Sequence, residues 1–190
     1  MTQDRPPGSS TPIHKVRENL VYHNRFVDVF DDPVIFADGS DGSFLRIVES
    51  AGRPGVAMLA LCDDQIALVR VYRYALGSWE WAIPRGFAHS HDADASARAE
   101  LAEELGWEPD ELIPIGTVTP NSGLLTSDVQ LYLARYATIA NVQEDRREVA
   151  EVKWIDIKAL RSEIVSGHMK DAFTLSALTC AQAHGHLGSM

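Results

Sequence analysis

The feature that most restricts the fold of this 190-residue chain is a pair of apolar runs near its middle. Gly55 to Cys62 reads Gly-Val-Ala-Met-Leu-Ala-Leu-Cys, and Gln65 to Tyr74 is a second such run. Only Asp63-Asp64 separates them, the length of a tight hairpin turn. Short continuous apolar segments bounded by turn residues fit strands at the centre of a sheet. Arg70 and Arg73 interrupt the second run at odd spacing, so a regular strand cannot put them on one face. Either both are exposed at the strand end, or one faces solvent and the other a site.

A helix follows. Ala93 to Leu105 is rich in Ala, Leu, Glu and Arg, and Gly106 is placed to end it. It carries Glu100, Glu103 and Glu104. Helical residues three and four apart lie on one face, roughly 5–6 Å apart at Cβ, so these carboxylates can converge. Like charges gathered in this way repel unless a cation sits among them, and hard ions such as Mg²⁺ or Mn²⁺ take oxygen ligands of this kind. Composition alone favours the alternative of a solvated acidic face.

Ahead of these elements, residues 1–12 hold Arg5-Pro6-Pro7-Gly8-Ser9-Ser10 and almost nothing apolar, the pattern of a disordered lead. From 13 to about 50, short alternating runs at Asn19 to His23 and Arg25 to Phe30 are broken by Asp31-Asp32-Pro33. A turn cluster from Ala37 to Gly42 and a strand from Phe44 to Glu49 complete an N-terminal β region. Beyond the helix, Ile113 to Pro120 and Val129 to Tyr136 read as strands about a turn at Asn121-Ser122-Gly123. The polar stretch from Asn141 to Glu151 reads as a surface loop. A short strand from Val152 to Ile157 leads to a helix capped by Asp156 and ended by Gly167, then to a last helix over Lys170 to Ala183. Residues 13–184 are thus expected to form one domain, with 185–190 a frayed tail.

The formal net charge is −10 and no Lys/Arg cluster offsets it, which argues against nucleic acid as a partner. An acidic site can still bind a diphosphate if metal ions bridge the two sets of oxygens. No apolar run approaches the roughly 18–20 residues of a membrane span, and the N-terminus lacks the regions of a signal peptide. A cytoplasmic protein without a membrane partner is the expectation. Cys62 and Cys180 suit buried thiols rather than a disulfide framework.

The run Glu100-Leu101-Ala102-Glu103-Glu104-Leu105-Gly106-Trp107, preceded by Pro84-Arg85-Gly86, resembles the box of the Nudix hydrolases. That box is a Gly, five free positions, a Glu, seven free positions, then Arg-Glu-aliphatic-any-Glu-Glu-any-Gly-aliphatic. Tyr72-Arg73-Tyr74, the Trp79-Glu80 pair, the Pro120 to Gly123 turn, the acidic loop before Lys153-Trp154-Ile155, and Lys170-Asp171-Ala172 are similar to the ADP-ribose pyrophosphatase branch. The resemblance covers about residues 20–182 and implies an α/β (α+β) fold, an α/β/α sandwich with a mixed central sheet and an N-terminal antiparallel β subdomain.

It also implies chemistry: hydrolysis of a nucleoside diphosphate linked to another group, ADP-ribose or a nucleotide sugar, with Mg²⁺ or Mn²⁺ as cofactor. Glu100, Glu103 and Glu104 would ligate metal with the backbone carbonyl of Arg85. Glu148 or Glu144 in the acidic loop would orient or deprotonate the attacking water. Arg73 and Arg85 would pair with phosphate oxygens. Glu80, Trp81 and Gly123 complete the candidate substrate-binding set. Tyr22, Phe26, Tyr74, Trp79 and Trp81 are candidates for stacking on substrate, with core packing as the alternative. The related branch forms homodimers through N-terminal strands, so a homodimer is expected here.

The chain departs from the box at four places. Gly86 to Glu100 takes 14 steps where the family pattern takes 15. Asp92 holds the place of the first Glu, and Ala99 that of the Arg. Ala82 sits where many members have a Glu two residues before the Pro, and Glu80 is the nearest substitute. Asp92 or Asp94 with Arg98 is the expected replacement tether for the loop. His89 and His91 there are either an exposed loop or ligands of a softer metal. A Nudix-fold nucleotide-binding module without efficient cleavage is the alternative function.

Overall fold

The structure is a computed structural model that describes residues 11–88, 92–139 and 149–188. It divides into two compact units, one of Met1–Gly52 with Asn121–Thr126 and one of Arg53–Pro120 with Ser127–Met190.

The first unit is an antiparallel sheet of β1 (Ile13–Lys15), β2 (Leu20–His23), β3 (Val27–Phe36) and β4 (Asp41–Glu49). β3 is its centre: β4 pairs along Val27 to Ile35, while β2 and then β1 pair with its other edge. The expected break at Asp31-Asp32-Pro33 does not occur, because β3 runs straight through it. Proline lacks an N–H and is tolerated only where no ladder bond needs one. The Pro33 carbonyl accepts from Val16 N–H at 2.9 Å, so its backbone polar side faces the edge where the chain passes from β1 to β2, not β4.

Asp32 is buried, and it accepts Asn19 N–H at 2.9 Å and Arg46 Nε at 2.7 Å. Burial alone would raise its pKa, but the Asn19 amide and the Arg46 guanidinium outweigh that and hold it below the ordinary value. A depressed carboxylate pKa stabilises the fold above the unfolded-state value, and the contribution is lost as pH falls through the folded value.

The second unit holds a seven-stranded mixed sheet in the order β11-β6-β5-β10-β9, with β7 beside β6 and β8 beside β5. Its strands are β5 (Gly55–Cys62), β6 (Gln65–Arg73), β7 (Ser78–Ala82), β8 (Arg85–Phe87), β9 (Glu111–Val118), β10 (Val129–Arg135) and β11 (Glu151–Asp156). Its helices are α1 (Ala93–Leu105), α2 (Ile157–Val165) and α3 (Ala172–Ala183). β5 and β10 run parallel. Every residue of β5 is buried, and alternation sends its side chains to two separate cores. Val56, Met58, Ala60 and Cys62 pack with Ala97, Leu101 and Leu105 of α1. Ala57, Leu59 and Leu61 pack with Leu160 of α2 and with Ala177, Leu178 and Ala181 of α3. The α/β/α sandwich therefore follows from two apolar faces that each need a helical cover. Burying Leu101 and Leu105 contributes roughly 2 kcal/mol each.

Gly106 closes α1 in the left-handed conformation, at φ 93°, with its N–H on the Ala102 carbonyl, and Asp92 caps its start through Ala95 N–H. Asp156 caps α2 through Lys158 N–H at 2.8 Å. The tail expected to fray is ordered through Gly188. Leu187 is buried in the α2/α3 core, and His186 N–H bonds the Ala181 carbonyl at 2.9 Å, because one apolar side chain there outweighs the polar residues around it.

Asp32→Asn is expected to lower Tm at neutral pH, and the gap to wild type should narrow as pH drops below the ordinary aspartate value of 3.8. Thermal melts across pH 2 to 7 check this, on roughly the carboxylate range; a gap constant with pH would show that the charge of Asp32 contributes nothing.

Candidate active site

The site grows from a splay in the central hairpin. β5 and β6 pair with each other only beside the turn, at Leu61↔Ile66 and Cys62↔Gln65. Further along, β6 takes β7 over Val69 to Arg73, and β5 takes β8 over Gly55 to Ala57. The segment Ala82-Ile83-Pro84-Arg85 thus enters between diverging strands as a wedge, and Pro84 accepts Met58 N–H at 2.9 Å through its carbonyl.

The wedge is fastened from the α3 side by a buried chain of hydrogen bonds. Ile83 N–H donates to Thr174 Oγ1 at 3.0 Å, Thr174 Oγ1 donates to Asp171 Oδ2 at 2.8 Å, and Asp171 Oδ1 takes Arg85 Nη1 at 2.9 Å. The same Asp171 caps α3 through Thr174 N–H. Asp171 and Thr174 are both buried. The Arg85 guanidinium lies 4.5 Å from the Phe173 ring centroid. Burial pulls its pKa below the ordinary value, Asp171 opposes the shift, and Arg73, Glu80 and Glu104 are close enough to act on it. One residue earlier, Lys170 Nζ stands 3.3 Å from Glu80 Oε1, whose side chain is 9% exposed. Neighbouring residues of opposite charge at the start of α3 therefore hold both arms of the wedge.

On the other face lies α1. A Cβ built on Gly86 would fall on the Glu100 carboxylate, so glycine is the residue that lets this carboxylate lie against the backbone just past Arg85. Glu104, one turn further on, is partly buried like Glu100, whereas Glu103 is exposed. Among the described residues, no three Asp, Glu, His or Cys side chains form a ready metal-holding group.

The remaining candidates separate. Arg73 ends β6 opposite Ser78, on the same strand face as Glu80, and its Nε is buried without a hydrogen-bond partner among the described residues. Arg70 faces the other way, pairing with Glu151 at 3.6 Å and lying 5.2 Å from the Trp79 ring, so the two arginines divide between a surface and the wedge. Trp81 projects opposite to Glu80, into the α2/α3 core, with Lys153 Nζ 4.1 Å from its ring. Gly123 lies in a turn of the first unit. Glu144, Glu148, His89 and His91 fall outside the described residues.

The NUDIX domain model matches residues 52–173, most of the chain and all of the wedge and α1. The chain belongs to the Nudix family. A CMP-5'-(N-acetyl-N-hydroxy-3-aminopropyl)phosphonate hydrolase of Streptomyces rubellomurinus is 26% identical over 155 residues, 79% of this chain and 72% of that protein. The crystal structure of an ADP compounds hydrolase superposes with a TM-score of 0.77 at 18% identity, covering 94% of this chain and 99% of that one. The chain is accordingly a Nudix-type pyrophosphohydrolase.

Nudix hydrolases generally use divalent metal ions, and the residues here suit one. The donors on α1 are hard oxygens, and the backbone that faces them is cleared by Gly86 so that a carboxylate fits. The departures from the Nudix box also acquire a structural account. Asp94 accepts from Tyr132 Oη at 2.7 Å, tying the start of α1 to β10, while Arg98 donates to the Pro109 carbonyl at 3.1 Å. The expected pairing of Asp94 with Arg98 is thereby replaced, since each has a nearer partner on a different element. Ala82 is fully buried opposite Val69, and Glu80, two residues back on the same face, is the carboxylate that the strand presents.

Sequence reading picked out Lys170-Asp171-Ala172 for its resemblance but gave Lys170 and Asp171 no role, and it missed Thr174. An Asp before an apolar helix is a recognisable cap signal, but nothing local announces that its second oxygen binds Arg85. Asp171→Ala removes the cap and leaves the partly buried Arg85 without its partner, for an expected loss of ~2 kcal/mol in denaturant unfolding; a loss under ~1 kcal/mol would mean that the guanidinium finds solvent or another acid.

Proposed function

We propose that this protein hydrolyses a nucleoside diphosphate linked to a second group, ADP-ribose or a nucleotide sugar, at the diphosphate. The observation that carries the reading is the seating of Glu100 against Gly86, with Glu104 on the same helical face and both Glu104 and Arg73 close enough to Arg85 to act on its charge. Glu100, Glu103 and Glu104, with the Arg85 carbonyl, would hold Mg²⁺ or Mn²⁺. Bound there, such an ion neutralises diphosphate oxygens and lowers the pKa of water. Arg73 supplies a fork for phosphate oxygens, and its buried, unsatisfied Nε is a donor that an anion would satisfy. The Arg85 guanidinium is committed to Asp171, so its contribution is assigned to its main chain. A carboxylate of the acidic loop, Glu148 or Glu144, is assigned to orient the attacking water.

The name of the Streptomyces relative, a hydrolase of a CMP-linked phosphonate, supports a nucleotide joined through phosphorus to a variable group. A homodimer built through the first unit is proposed as well. That unit exposes the apolar side chains Leu20, Val21, Tyr22, Phe26, Phe44 and Leu45 across its two faces, and covering such side chains would favour a second copy. Sedimentation velocity should give twice the monomer mass, and a monomer at micromolar concentration would remove the proposal.

With Mg²⁺ or Mn²⁺, AMP release from ADP-ribose is expected, abolished by chelation. Glu103→Gln and Glu104→Gln should each lower turnover ~100-fold, and Gly86→Ala should do so with little change in Tm, because the displaced group is a flexible carboxylate end. Binding of ADP-ribose, read as a rise in Tm without AMP release under either metal, would favour the non-hydrolytic module instead.

A further inference from the structure

The start of α3 is not near the acidic helix face in sequence, yet it holds the strand against which that face lies. We propose that Asp171, acting through Arg85 and Thr174, is a positioning residue that sets the register of the Arg85-Gly86 backbone against the Glu100 carboxylate and so tunes the affinity of the site for a divalent cation. The proposal rests on the functional reading above.

Four observations support it. The wedge has few ladder bonds of its own: β8 is three residues long, and the β5–β6 pairing that would otherwise lock this region is limited to the turn end. A segment so lightly paired takes its position from whatever fastens it. Each residue from Ile83 to Arg85 is fastened by one bond: Ile83 N–H to Thr174, the Pro84 carbonyl to Met58 N–H, and the Arg85 guanidinium to Asp171. Two of these three end on the same buried pair of α3 residues, whose side chains are bonded to each other. Finally, the Glu100 carboxylate lies so close to Gly86 that even a Cβ there would meet it, so a shift of this backbone toward α1 is passed directly to that carboxylate.

A rigid element fixed at its own N-cap thus reaches across the sheet and holds the backbone beneath the acidic helix. Lys170 on Glu80 acts in the same sense on the other arm, so the start of α3 grips the wedge at both ends. Asp171 itself faces Arg85, Thr174 and the α3 amide and touches no reacting group, which is why its role is positional.

The test uses Asp171→Asn, which keeps size and the capping oxygen while removing the charge, and Thr174→Val, which keeps shape and every charge while releasing Ile83. Mn²⁺ affinity is read by electron paramagnetic resonance on the substrate-free protein, together with amide exchange over 81–88 and the split of kcat and KM. In Asp171→Asn, Mn²⁺ affinity and kcat should each fall about tenfold with KM changed less than about threefold, and exchange over 81–88 should rise while that of α1 does not. Thr174→Val should move the same quantities in the same direction by less. Lower Tm with wild-type Mn²⁺ affinity and kcat, measured well below the melt, would make Asp171 merely structural and overturn the proposal. Wild-type protein that binds Mn²⁺ but cleaves no diphosphate would fail the functional reading while leaving the affinity comparison decisive for this one. If Asp171→Asn does not fold, unchanged Mn²⁺ affinity in Thr174→Val overturns the proposal.

Discussion

The position of the wedge depends on the contact between the partly buried Arg85 guanidinium and the buried Asp171 carboxylate. A sheet whose two central strands separate two residue pairs from their turn leaves backbone groups that must be paired elsewhere, and the inserted wedge satisfies them only in part. The remaining constraint comes from α3, whose N-cap aspartate has one oxygen for its own helix and one for the guanidinium. A buried ion pair of this kind contributes little net stability compared with an apolar substitute, but removal of either partner is costly, so it fixes geometry more than it adds stability.

With the wedge held, its two faces do different work. Toward α3 the side chains of Ile83 and Arg85 are spent on packing and fastening. Toward α1 the chain presents Gly86, Glu80 and Arg73, a surface stripped of bulk and bearing charge. The alternation of a strand is what allows one short segment to be structural on one side and chemical on the other. Arg85 belongs to both through different atoms, its guanidinium to the clamp and its backbone to the site.

The altered Nudix box is compensated by contacts from outside the box. Where the family loop is held by a Glu and an Arg of the motif itself, here Asp92 caps α1, Asp94 is bonded by the buried Tyr132 hydroxyl on β10, and Arg98 is turned to the far end of the helix. Burial first, and the Asp94 carboxylate after it, push the Tyr132 phenol well above its ordinary pKa, so it stays a donor at any physiological pH. A helix held at both ends in this way keeps its acidic face in place although the loop before it is one residue shorter than the family pattern.

The sequence by itself determined the elements whose causes are local. α1 begins and ends where Asp92 and Gly106 say it must, the β5–β6 hairpin turns at Asp63-Asp64, and Asp156 starts α2, because caps and turns are decided within a few residues. The motif glutamates and the expected sandwich were legible for the same reason, since spacing along a helix and continuous apolar runs need no knowledge of the partner. Pro33 was misread because a proline breaks a strand only if its missing N–H is wanted, which depends on the neighbouring strand. Leu187 was misread because its burial depends on a core assembled from distant elements. Asp171 on Arg85, Lys170 on Glu80, Trp81 turned into the core and Asp94 bonded by Tyr132 were decided by tertiary structure alone. Each joins residues far apart in the chain, where no periodicity or cap signal reaches and only the packing of helices on a sheet selects the partner.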